Sequence, residues 1–566
     1  MTRRGWWGLA IVIAALALAA SGNSVTNRFT YDDVYILERS AARMGTLAGW
    51  WREFATSYWP AMGSHGDGYR PLTILGFKLQ WMLAGGSPMP FHAVNIALHV
   101  VTAVAVFWLA GGVLPLAAAW IAAALYAVHP VHVEAIANVV GQSELIVALL
   151  VTVAMALYVH GRRAGPLSAG RWTVIGVLYA IGMLFKEHAI TLIALLPLAE
   201  LTVVADRTPL RARAERMRLP MLALLLVAVA YLWPRSLVAG GGTGFQPFAV
   251  FQALDLSHGD RILTMIGAAP EWLRLLVWPA RLTTEYTPPY LEVAQGPSLA
   301  QLPGLLVLIG TLGLCLATWR RSPVTAFGIG WMVLTLLPAS NFILPAGFII
   351  AERTLLLPSV GAIIALASAV PWLYERVEGR RAREVATAAL LVVVVALGIG
   401  RSVDRNRAWK DTETLLRRAI RDSPESYRAH LMLGGLMFER RNLTDGEVHV
   451  REAFRLFPHD PLIVWVLAEQ YRSRGFCEPA IRYYETFLLL EPDVPGGHAS
   501  YAACLLHQRR PDDARAAALR SLERGGALAP ARRVLRASRR MRDSLDMPAD
   551  SIAAARARAD TNVGVP

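Results

Sequence analysis

Paired acidic residues near the N-terminus are the first candidates for chemistry in this chain. Asp32 and Asp33 stand side by side in the string FTYDD. Neighbouring carboxylates raise each other's pKa, so one of the two could act as a general base. The same pair also suits a solvated turn or the N-cap of a helix, where Asp is favoured.

Three basic residues next to apolar segments could bind a phosphate group. Arg70 lies in the string YRP, Lys186 in the string LFKEH and Arg353 in the string AER. A guanidinium group binds phosphate through two parallel hydrogen bonds. Simpler roles are also open: Arg70 could anchor a helix to lipid headgroups, Lys186 could close a hairpin with its acidic neighbour, and Arg353 could snorkel. We expect Glu352 to orient Arg353 within the membrane, where such pairs are more often functional.

A polar segment, the string HPVHVEAIANVVGQSE, leads into an apolar run. Glu134, Asn138 and Gln142 are spaced four residues apart, which predicts one polar face of a helix that lines a cavity. His129, His132 and Glu134 could instead ligate a metal, although their spacing is not that of a zinc protease. We favour hydrogen bonding to a substrate or structural capping for these side chains.

Apolar runs of membrane-spanning length must position these residues. The chain has 566 residues, of which 55% are hydrophobic and 17% are charged, which excludes a disordered protein and argues against an ordinary cytosolic enzyme. About eleven spans of an all-α, polytopic membrane domain are predicted. Two amphipathic stretches, 71–84 and 261–280, are placed in the interface plane, because their charges are costly at mid-bilayer. The predicted spans are 6–20, 91–110, 113–128, 143–159, 172–186, 188–204, 220–234, 303–319, 322–338, 349–371 and 385–400.

Basic residues indicate the orientation of these spans. The formal net charge is +14, and the predicted cytoplasmic segments carry sixteen arginines against five acidic residues. Cytoplasmic loops are enriched in Arg and Lys, so the N-terminus is expected inside and, with an odd number of spans, the C-terminal part outside. The first run could be a cleaved signal peptide, but the many later spans favour an uncleaved helix. The excess charge therefore indicates membrane orientation and argues against a nucleic-acid partner.

A 34-residue period follows the membrane segment. Pro424, Pro458 and Pro492 are spaced at the interval of tetratricopeptide repeats, which predicts an α-solenoid over 402–530 with a concave peptide-binding groove. The Arg-rich tail, 531–566, either caps the array or is disordered. The three cysteines of the chain are odd in number and far apart, so no disulfide framework is expected.

Taken in order, these strings are similar to those of a known family. The chain resembles the transmembrane and tetratricopeptide repeat-containing O-mannosyltransferases and their bacterial relatives, which are type C glycosyltransferases. Gln142 and Glu144 stand where relatives commonly carry Arg and Asp, and His188 stands where a small residue is expected. The matching strings are YDD at 31–33, YRPLT at 69–73, FHAVNIALH at 91–99, HPVHVEAIANVVGQSE at 129–144, KEHAIT at 186–191, LLPASN at 336–341 and AERTLLLPSVG at 351–361.

The resemblance implies transfer of a mannose-like sugar from a polyprenyl-phosphate donor to a hydroxyl group of a protein acceptor, on the extracytoplasmic face. It gives the role of base to Asp32 or Asp33. The donor phosphate would be held by Arg353, Lys186 and Arg70. The side chains that it places along the site are Tyr31, His129, His132, Glu134, Glu144, Glu187, Glu352, Glu285 and Tyr286. No cofactor beyond the lipid-linked donor is implied, and a divalent-metal requirement stays open.

The apolar runs predict a domain plan, and the charge pattern together with the resemblance predicts a location. A membrane domain, 1–401, has a large first outer loop at 21–90, and the repeats that follow would bind the acceptor protein. The expected location is the cytoplasmic (inner) membrane of a bacterium, with the repeats on its outer side. Two other classes of function stay open. One is a non-enzymatic membrane-anchored repeat scaffold for an envelope complex, and the other is a lipid-linked sugar flippase or polymerase.

Overall fold

The computed structural model describes residues 3–59, 68–238, 249–371, 379–525 and 528–545, and within these ranges the chain is helical and has no β-strand. It divides into two units. The first is formed by residues 1–248 and 256–424, and the second by residues 249–255 and 425–566. The predicted all-α fold class is confirmed.

Helices are numbered here in chain order, and those up to residue 424 come first. They are α1 (Arg3–Ser21), α2 (Ala41–Met44), α3 (Pro71–Ala84), α4 (Pro88–Gly111), α5 (Leu116–Val128), α6 (Val133–Ala137), α7 (Gln142–Arg162), α8 (Ala169–Phe185), α9 (Leu192–Leu201), α10 (Leu210–Val238), α11 (Ala249–Ala253), α12 (His258–Val277), α13 (Leu302–Thr318), α14 (Pro323–Leu336), α15 (Leu356–Ala367), α16 (Arg380–Ala408) and α17 (Thr412–Asp422). Short 3₁₀ turns adjoin several of them, notably Pro130–His132, Val139–Gly141, Glu187–Thr191 and Glu352–Leu355.

Six helical segments among the described residues are long and apolar enough to cross a membrane. Helices α5 and α6 form a pair bent by 45° that makes a seventh if it is one span. The chain is therefore a multi-pass membrane protein, with six or seven such segments where the sequence predicted eleven. The six are Arg4–Thr26, Pro88–Gly111, Val139–Arg162, Leu210–Val238, Leu299–Thr318 and Arg383–Ala408.

The difference in number comes from helices that are too short to span by themselves. Helix α9 has 10 residues and α15 has 12. Helix α9 ends beside Glu200, whose carboxylate is buried in ion pairs with Arg162 and Arg213. Apolar composition does not show such breaks, because backbone that is covered by protein can depart from a helix at membrane depth. The four predicted spans concerned are 172–186, 188–204, 322–338 and 349–371, which coincide with α8, α9, α14 and α15.

Close contact between α14 and α15 fixes the backbone that precedes α15. Gly328 and Gly361 face each other, and a Cβ atom at either position would overlap the carbonyl oxygen of the other residue. Small residues allow helix backbones to approach in this way. The indole N–H of Trp331 donates to the carbonyl oxygen of Leu357 over 2.9 Å. The turn Glu352–Leu355 is thereby held at one end.

The two stretches predicted to lie in the interface are helices, α3 and α12. The cation of α3 is inside the protein: Lys78 is 3% exposed, and its Nζ lies 2.7 Å from the Oε1 of Glu53. Glu53 also accepts a hydrogen bond from Arg43. Lys78 therefore joins α3 to the loop before it. The position of both helices in a bilayer stays a prediction.

Helix pairs with the predicted 34-residue period form the second unit, and the tetratricopeptide architecture is confirmed. Pro458 and Pro492 lie between successive pairs. Gly434 allows the helices of the first pair to approach, because a Cβ there would overlap Val450. The helices are α18 (Tyr427–Glu439), α19 (Leu443–Leu456), α20 (Pro461–Ser473), α21 (Cys477–Leu490), α22 (Pro495–His507), α23 (Pro511–Glu523) and α24 (Leu528–Leu545).

Two features of the second unit differ from the sequence analysis or complete it. Cys477 and Cys504 form a disulfide with Cα atoms 5.0 Å apart, so the expectation of no disulfide was wrong. The expectation rested on the distance between the cysteines in sequence, but helix pairing brings the start of α21 next to α22. In the Arg-rich tail, α24 packs Ala531 and Val534 into the hydrophobic core and so caps the array. The remainder of the tail lies outside the described residues.

The division between the units falls later than the predicted boundary at residue 401. The first unit continues through α16 and α17 to Pro424. Residues of α16 and of the segment after it bond to residues 27 and 28: the Nδ2 of Asn27 donates to the carbonyl oxygen of Asn406, 3.1 Å away, and the backbone N–H of Arg28 donates to the carbonyl oxygen of Lys410, 2.9 Å away. Sequence that follows the last long apolar helix is therefore part of the first unit.

Candidate active site

Asp33 ties the segment that follows α1 to the start of α7. Its carboxylate is fully buried and accepts backbone N–H groups from Thr30 at 3.1 Å, Val139 at 3.0 Å and Val140 at 2.8 Å. Burial raises the pKa of Asp33 to about 8, although these three donors favour the charged form and lower it. Both carboxylate oxygens are thus engaged by the backbone, which makes Asp33 a positioning residue.

Asp32, the other member of the predicted pair, is only half-buried. Its charge acts on Arg353 and on Tyr58, so it lies in the same electrostatic environment as these two groups. Of the two aspartates, Asp33 is the one whose carboxylate is held by three backbone donors. The geometry therefore distinguishes the members of a pair that the sequence left equivalent.

Arg353 lies against Glu134, which comes from a helix far away in the sequence. Its Nη1 donates to the Oε1 of Glu134, and its backbone N–H donates to the Oε2 over 3.0 Å. Burial alone would lower the pKa of Arg353, but the carboxylate of Glu134 holds it above its ordinary value. The expectation that Glu352 orients Arg353 was wrong, because the turn Glu352–Leu355 directs the two side chains to different partners.

Glu352 itself contacts side chains from two other parts of the chain. Its Oε1 accepts a hydrogen bond from the hydroxyl of Tyr286 at 2.8 Å and lies 3.5 Å from the Nη2 of Arg405. Burial raises the pKa of Glu352, and the nearby Glu134 raises it further. Glu352 and Tyr286 are therefore beside the predicted site, in a buried cluster that Arg405 completes.

Arg70 lies against Glu187 from the loop after α8. The Nη2 of Arg70 is 3.2 Å from the Oε1 of Glu187, and the guanidinium lies 4.7 Å from the ring centre of Tyr58. Glu187 also lies 3.8 Å from the Nη1 of Arg235 on α10. Burial would raise the pKa of Glu187, but Arg70 and Arg235 together hold it well below its ordinary value. One carboxylate thus holds two arginines.

Lys186 completes the set of cations. Its Nζ donates to the Oε1 of Glu144, near the start of α7. Arg70 and Arg353 both act electrostatically on Lys186, so the three predicted phosphate-binding residues lie in one region. Each of them has a glutamate partner that also belongs to the predicted set, namely Glu187, Glu144 and Glu134. The structure therefore brings together residues from four separate segments of sequence.

Tyr31 and Glu285 meet at the same region. The hydroxyl of Tyr31 donates to the Oε1 of Glu285 over 2.5 Å. Tyr31 has a φ angle of 60°, in the left-handed region that residues other than glycine rarely adopt. Such a conformation persists only where the surroundings determine it strongly.

The predicted helical face and the possible metal ligands of residues 129–144 are not formed. Helix α6 ends before Asn138, whose backbone is extended, so Glu134, Asn138 and Gln142 do not share a helix. The Nε2 of His129 lies 3.1 Å from the carbonyl oxygen of Leu276.

His132 has a different contact, its Nε2 lying 2.8 Å from the Oγ of Ser359 on α15. Both histidines therefore make structural hydrogen bonds, and the carboxylate of Glu134 binds Arg353. Among the described residues, no three His, Cys, Asp or Glu side chains come together as metal ligands.

Several residues of the site were missed by sequence reasoning. Tyr58, Arg235, Arg405 and Trp409 are all buried next to predicted residues. Of these four, Arg235 was the easiest to predict from the sequence, because a charge directly after an apolar run of membrane-spanning length is costly. Tyr58 and Trp409 carry no such signal, since an aromatic residue near a membrane segment is ordinary.

Comparison with a family model described as a tetratricopeptide repeat gives matches to residues 397–461 and 466–531. The first match begins within α16, so sequence of the repeat type starts inside the first unit. The match therefore crosses the boundary between the units at Pro424.

Curated relatives match most of the chain. It is 28% identical over 482 residues to human protein O-mannosyl-transferase TMTC4, covering 77% of this chain and 64% of that protein. It is 26% identical over 513 residues to human protein O-mannosyl-transferase TMTC1, covering 81% and 56%. With mouse protein O-mannosyl-transferase TMTC3 the identity is 26% over 529 residues, covering 87% and 56%. The chain thus spans less than two thirds of the length of these relatives.

Proposed function

The chain is related to the transmembrane and tetratricopeptide repeat-containing O-mannosyltransferases, and from this premise we propose that it is a membrane glycosyltransferase. It moves a sugar, mannose or a close analogue, from a polyprenyl-phosphate donor to a hydroxyl group of a protein. The observation that carries the proposal is the gathering of Arg70, Lys186 and Arg353 in one region, where each is paired with a glutamate and Asp32 acts on Arg353.

The three cations suit a leaving phosphate that carries negative charge. Each is held by a carboxylate from another element, so its position is set before a donor binds. Oriented charges in a site that excludes water stabilise developing charge without reorganisation at the moment of reaction. Three such cations next to apolar segments are costly to fold, which favours a role in binding over a purely structural one.

Asp32 takes the proton of the acceptor hydroxyl. The hydroxyl oxygen then forms a bond to the anomeric carbon of the sugar, and the bond between that carbon and the phosphate oxygen breaks. The bonding electrons leave with the polyprenyl phosphate, whose charge is stabilised by Arg353, Lys186 and Arg70. A single displacement of this kind inverts the anomeric configuration and needs only one base. Asp33 keeps Asp32 in place through its three backbone contacts.

We place the reaction on the extracytoplasmic side of the cytoplasmic (inner) membrane of a bacterium, with the N-terminus in the cytoplasm. Two observations support this orientation. The predicted cytoplasmic segments hold sixteen of the arginines, as cytoplasmic loops do. The disulfide between Cys477 and Cys504 is typical of an oxidising compartment, which favours repeats outside the cytoplasm.

The second unit would bind the acceptor protein. Tetratricopeptide arrays use an extended concave surface for peptides. Trp465, Tyr471 and Tyr501 are half-buried on α20 and α22, where they could contact an extended acceptor segment. The acceptor hydroxyl would then be supplied by Ser or Thr.

Purified full-length protein, supplied with polyprenyl-phosphate mannose and an acceptor peptide, tests the proposal directly. We expect transfer by the wild type, and a loss of kcat of about 100- to 10,000-fold in Asp32→Asn, since this is the usual contribution of a general base. Asp33→Asn is the matched variant. We expect it to lower activity by weakening the fold of the loop and the orientation of Asp32. Wild-type turnover by Asp32→Asn would contradict the assignment of the base.

Mass spectrometry of envelope proteins, with and without the gene, separates the enzyme from the other classes of function. A scaffold would leave protein-linked sugar unchanged. A flippase would move the donor across the membrane in both aspartate variants as well as in the wild type.

A further inference from the structure

The segment between α16 and the body of α17 contacts the loop that carries Asp32. The hydroxyl of Thr30 donates to the carbonyl oxygen of Trp409 over 3.2 Å. The backbone N–H of Tyr31 donates to the Oγ1 of Thr412 over 3.1 Å. These contacts join residues about 380 positions apart, at the point where sequence of the repeat type has already begun.

Tyr31 is the residue on which these contacts converge. Its φ of 60° is unfavourable for a side chain with a Cβ, so the conformation needs support from outside the loop. The support comes from three directions: Thr412 at the backbone N–H, Glu285 at the hydroxyl, and the ring of Trp409, whose centroid is 6.4 Å away. Because Asp32 is the next residue, the conformation of Tyr31 sets the direction in which the chain enters Asp32.

Trp409 also links this loop to the partner of Arg353. Its side chain is fully buried and packs with Val133 and Ala137 of α6, the helix that carries Glu134. Glu134 in turn holds Arg353. One indole therefore lies between the loop of the proposed base and the helix that positions a proposed phosphate-binding arginine.

We infer that Thr412 and Trp409 are positioning residues of the active site, which hold Tyr31 in its left-handed conformation and thereby orient Asp32. The inference rests on the proposed function and adds to it a part of the site that lies beyond the long apolar helices. The Oγ1 of Thr412 does this through one hydrogen bond, so its contribution can be removed with little change in side-chain shape.

Thr412→Val removes the acceptor oxygen and keeps the branched side chain, whereas Thr412→Ser keeps the oxygen. We expect the valine variant to lose kcat by roughly 10- to 100-fold with the KM for the polyprenyl-phosphate donor changed less than about 2-fold, because misplacement of a reacting group by about 1 Å has effects of this size. The serine variant should recover most of kcat. Thr486→Val is the matched control, since that hydroxyl is exposed and donates only to the carbonyl oxygen of Arg482 within its own helix.

Hydrogen exchange of the Tyr31 amide gives a second readout that needs no turnover. Exchange should be faster in Thr412→Val than in the wild type, and unchanged in Thr412→Ser and in the Thr486→Val control. Thr412→Ala offers the same comparison if the valine variant is not recovered folded. Unchanged exchange at Tyr31, or wild-type kcat in both substitutions that remove the oxygen, overturns the inference. A wild type without transferase activity overturns the proposed function instead, and the exchange measurement then still decides the positioning role.

Discussion

Ion pairs are built differently in the two units of this protein. The first unit contains buried pairs between distant segments, such as Glu134 and Arg353, which are 219 positions apart and where the side chain of Glu134 is 2% exposed. Most pairs among the described residues of the second unit instead join residues three or four positions apart and are more exposed, as in the pair of Arg455 and Glu452, where the arginine side chain is 69% exposed. A buried pair holds two elements in one arrangement, whereas an exposed pair within one helix contributes little to stability.

The difference indicates which contacts determine the architecture of each unit. Repeat helices contact their neighbours in sequence, so their architecture depends on local spacing. The membrane unit relies on single long-range contacts between loops and helix ends. Substitutions should therefore have large, combined effects on activity and stability in the first unit and small, separate ones in the second.

The largest effect is expected from Glu134→Gln. It leaves the charge of Arg353 without its carboxylate, so the free energy of unfolding should fall by about 3–5 kcal/mol. Transfer from the lipid-linked donor should fall at the same time, because Arg353 loses its orientation. Equilibrium unfolding in mixed micelles and initial rates with polyprenyl-phosphate mannose measure the two effects.

Glu452→Gln is the matched control, with the same chemical change in an exposed pair that has its atoms 2.6 Å apart. Its effect on the free energy of unfolding should be within about 1 kcal/mol, as for other exposed pairs. Similar losses in both variants would remove the contrast between the units.

An intermediate effect is expected from Cys477→Ser, because the disulfide is the one covalent link between repeats among the described residues. Loss of the link to Cys504 should lower the free energy of unfolding of the second unit by about 2–4 kcal/mol. Thermal unfolding with and without reductant measures it, and reductant should have no further effect on the variant. Cys315→Ser, at a cysteine outside the disulfide, is the control and should behave as the wild type does.

A smaller and pH-dependent effect is expected from Glu187→Gln. Arg70 and Arg235 hold the pKa of Glu187 well below its ordinary value of 4.5, against the effect of burial. The carboxylate then stabilises the fold above pH 4.5, and this contribution is lost as the pH falls from 4.5 through the lower pKa of the folded state. Wild type and variant should differ by about 1–3 kcal/mol near pH 7. The difference should shrink below pH 4.5 in unfolding measured across that range, and a constant difference would contradict the ion-pair assignment.

The contrast between the units also explains how far the sequence could be interpreted. Pro424, Pro458 and Pro492 predicted the repeats, because their spacing is a local property. Arg70, Lys186 and Arg353 could be identified as a set, because charged residues beside apolar runs are conspicuous. The carboxylate partners of these cations could not be assigned from the sequence. Glu352 was predicted to orient its neighbour Arg353, but a turn directs their side chains to different partners.

Backbone detail was the second limit. The four-residue spacing of Glu134, Asn138 and Gln142 suggested one helix, but an extended residue at 138 interrupts it. The same interruption exposes the N–H groups of Val139 and Val140, which Asp33 then binds. A break that apolar periodicity cannot show is thus what gives Asp33 surroundings that differ from those of Asp32.

The late division between the units has a consequence for engineering. Exchange of repeat arrays between related proteins is an obvious way to redirect a modifying enzyme to new acceptors. A junction at residue 401, where the long apolar helices end in sequence, would discard Trp409 and Thr412 and release the loop that carries Asp32. A junction after Pro424 keeps both residues with the membrane unit. Chimaeras joined there should retain the host's turnover while they take the acceptor preference of the donor array.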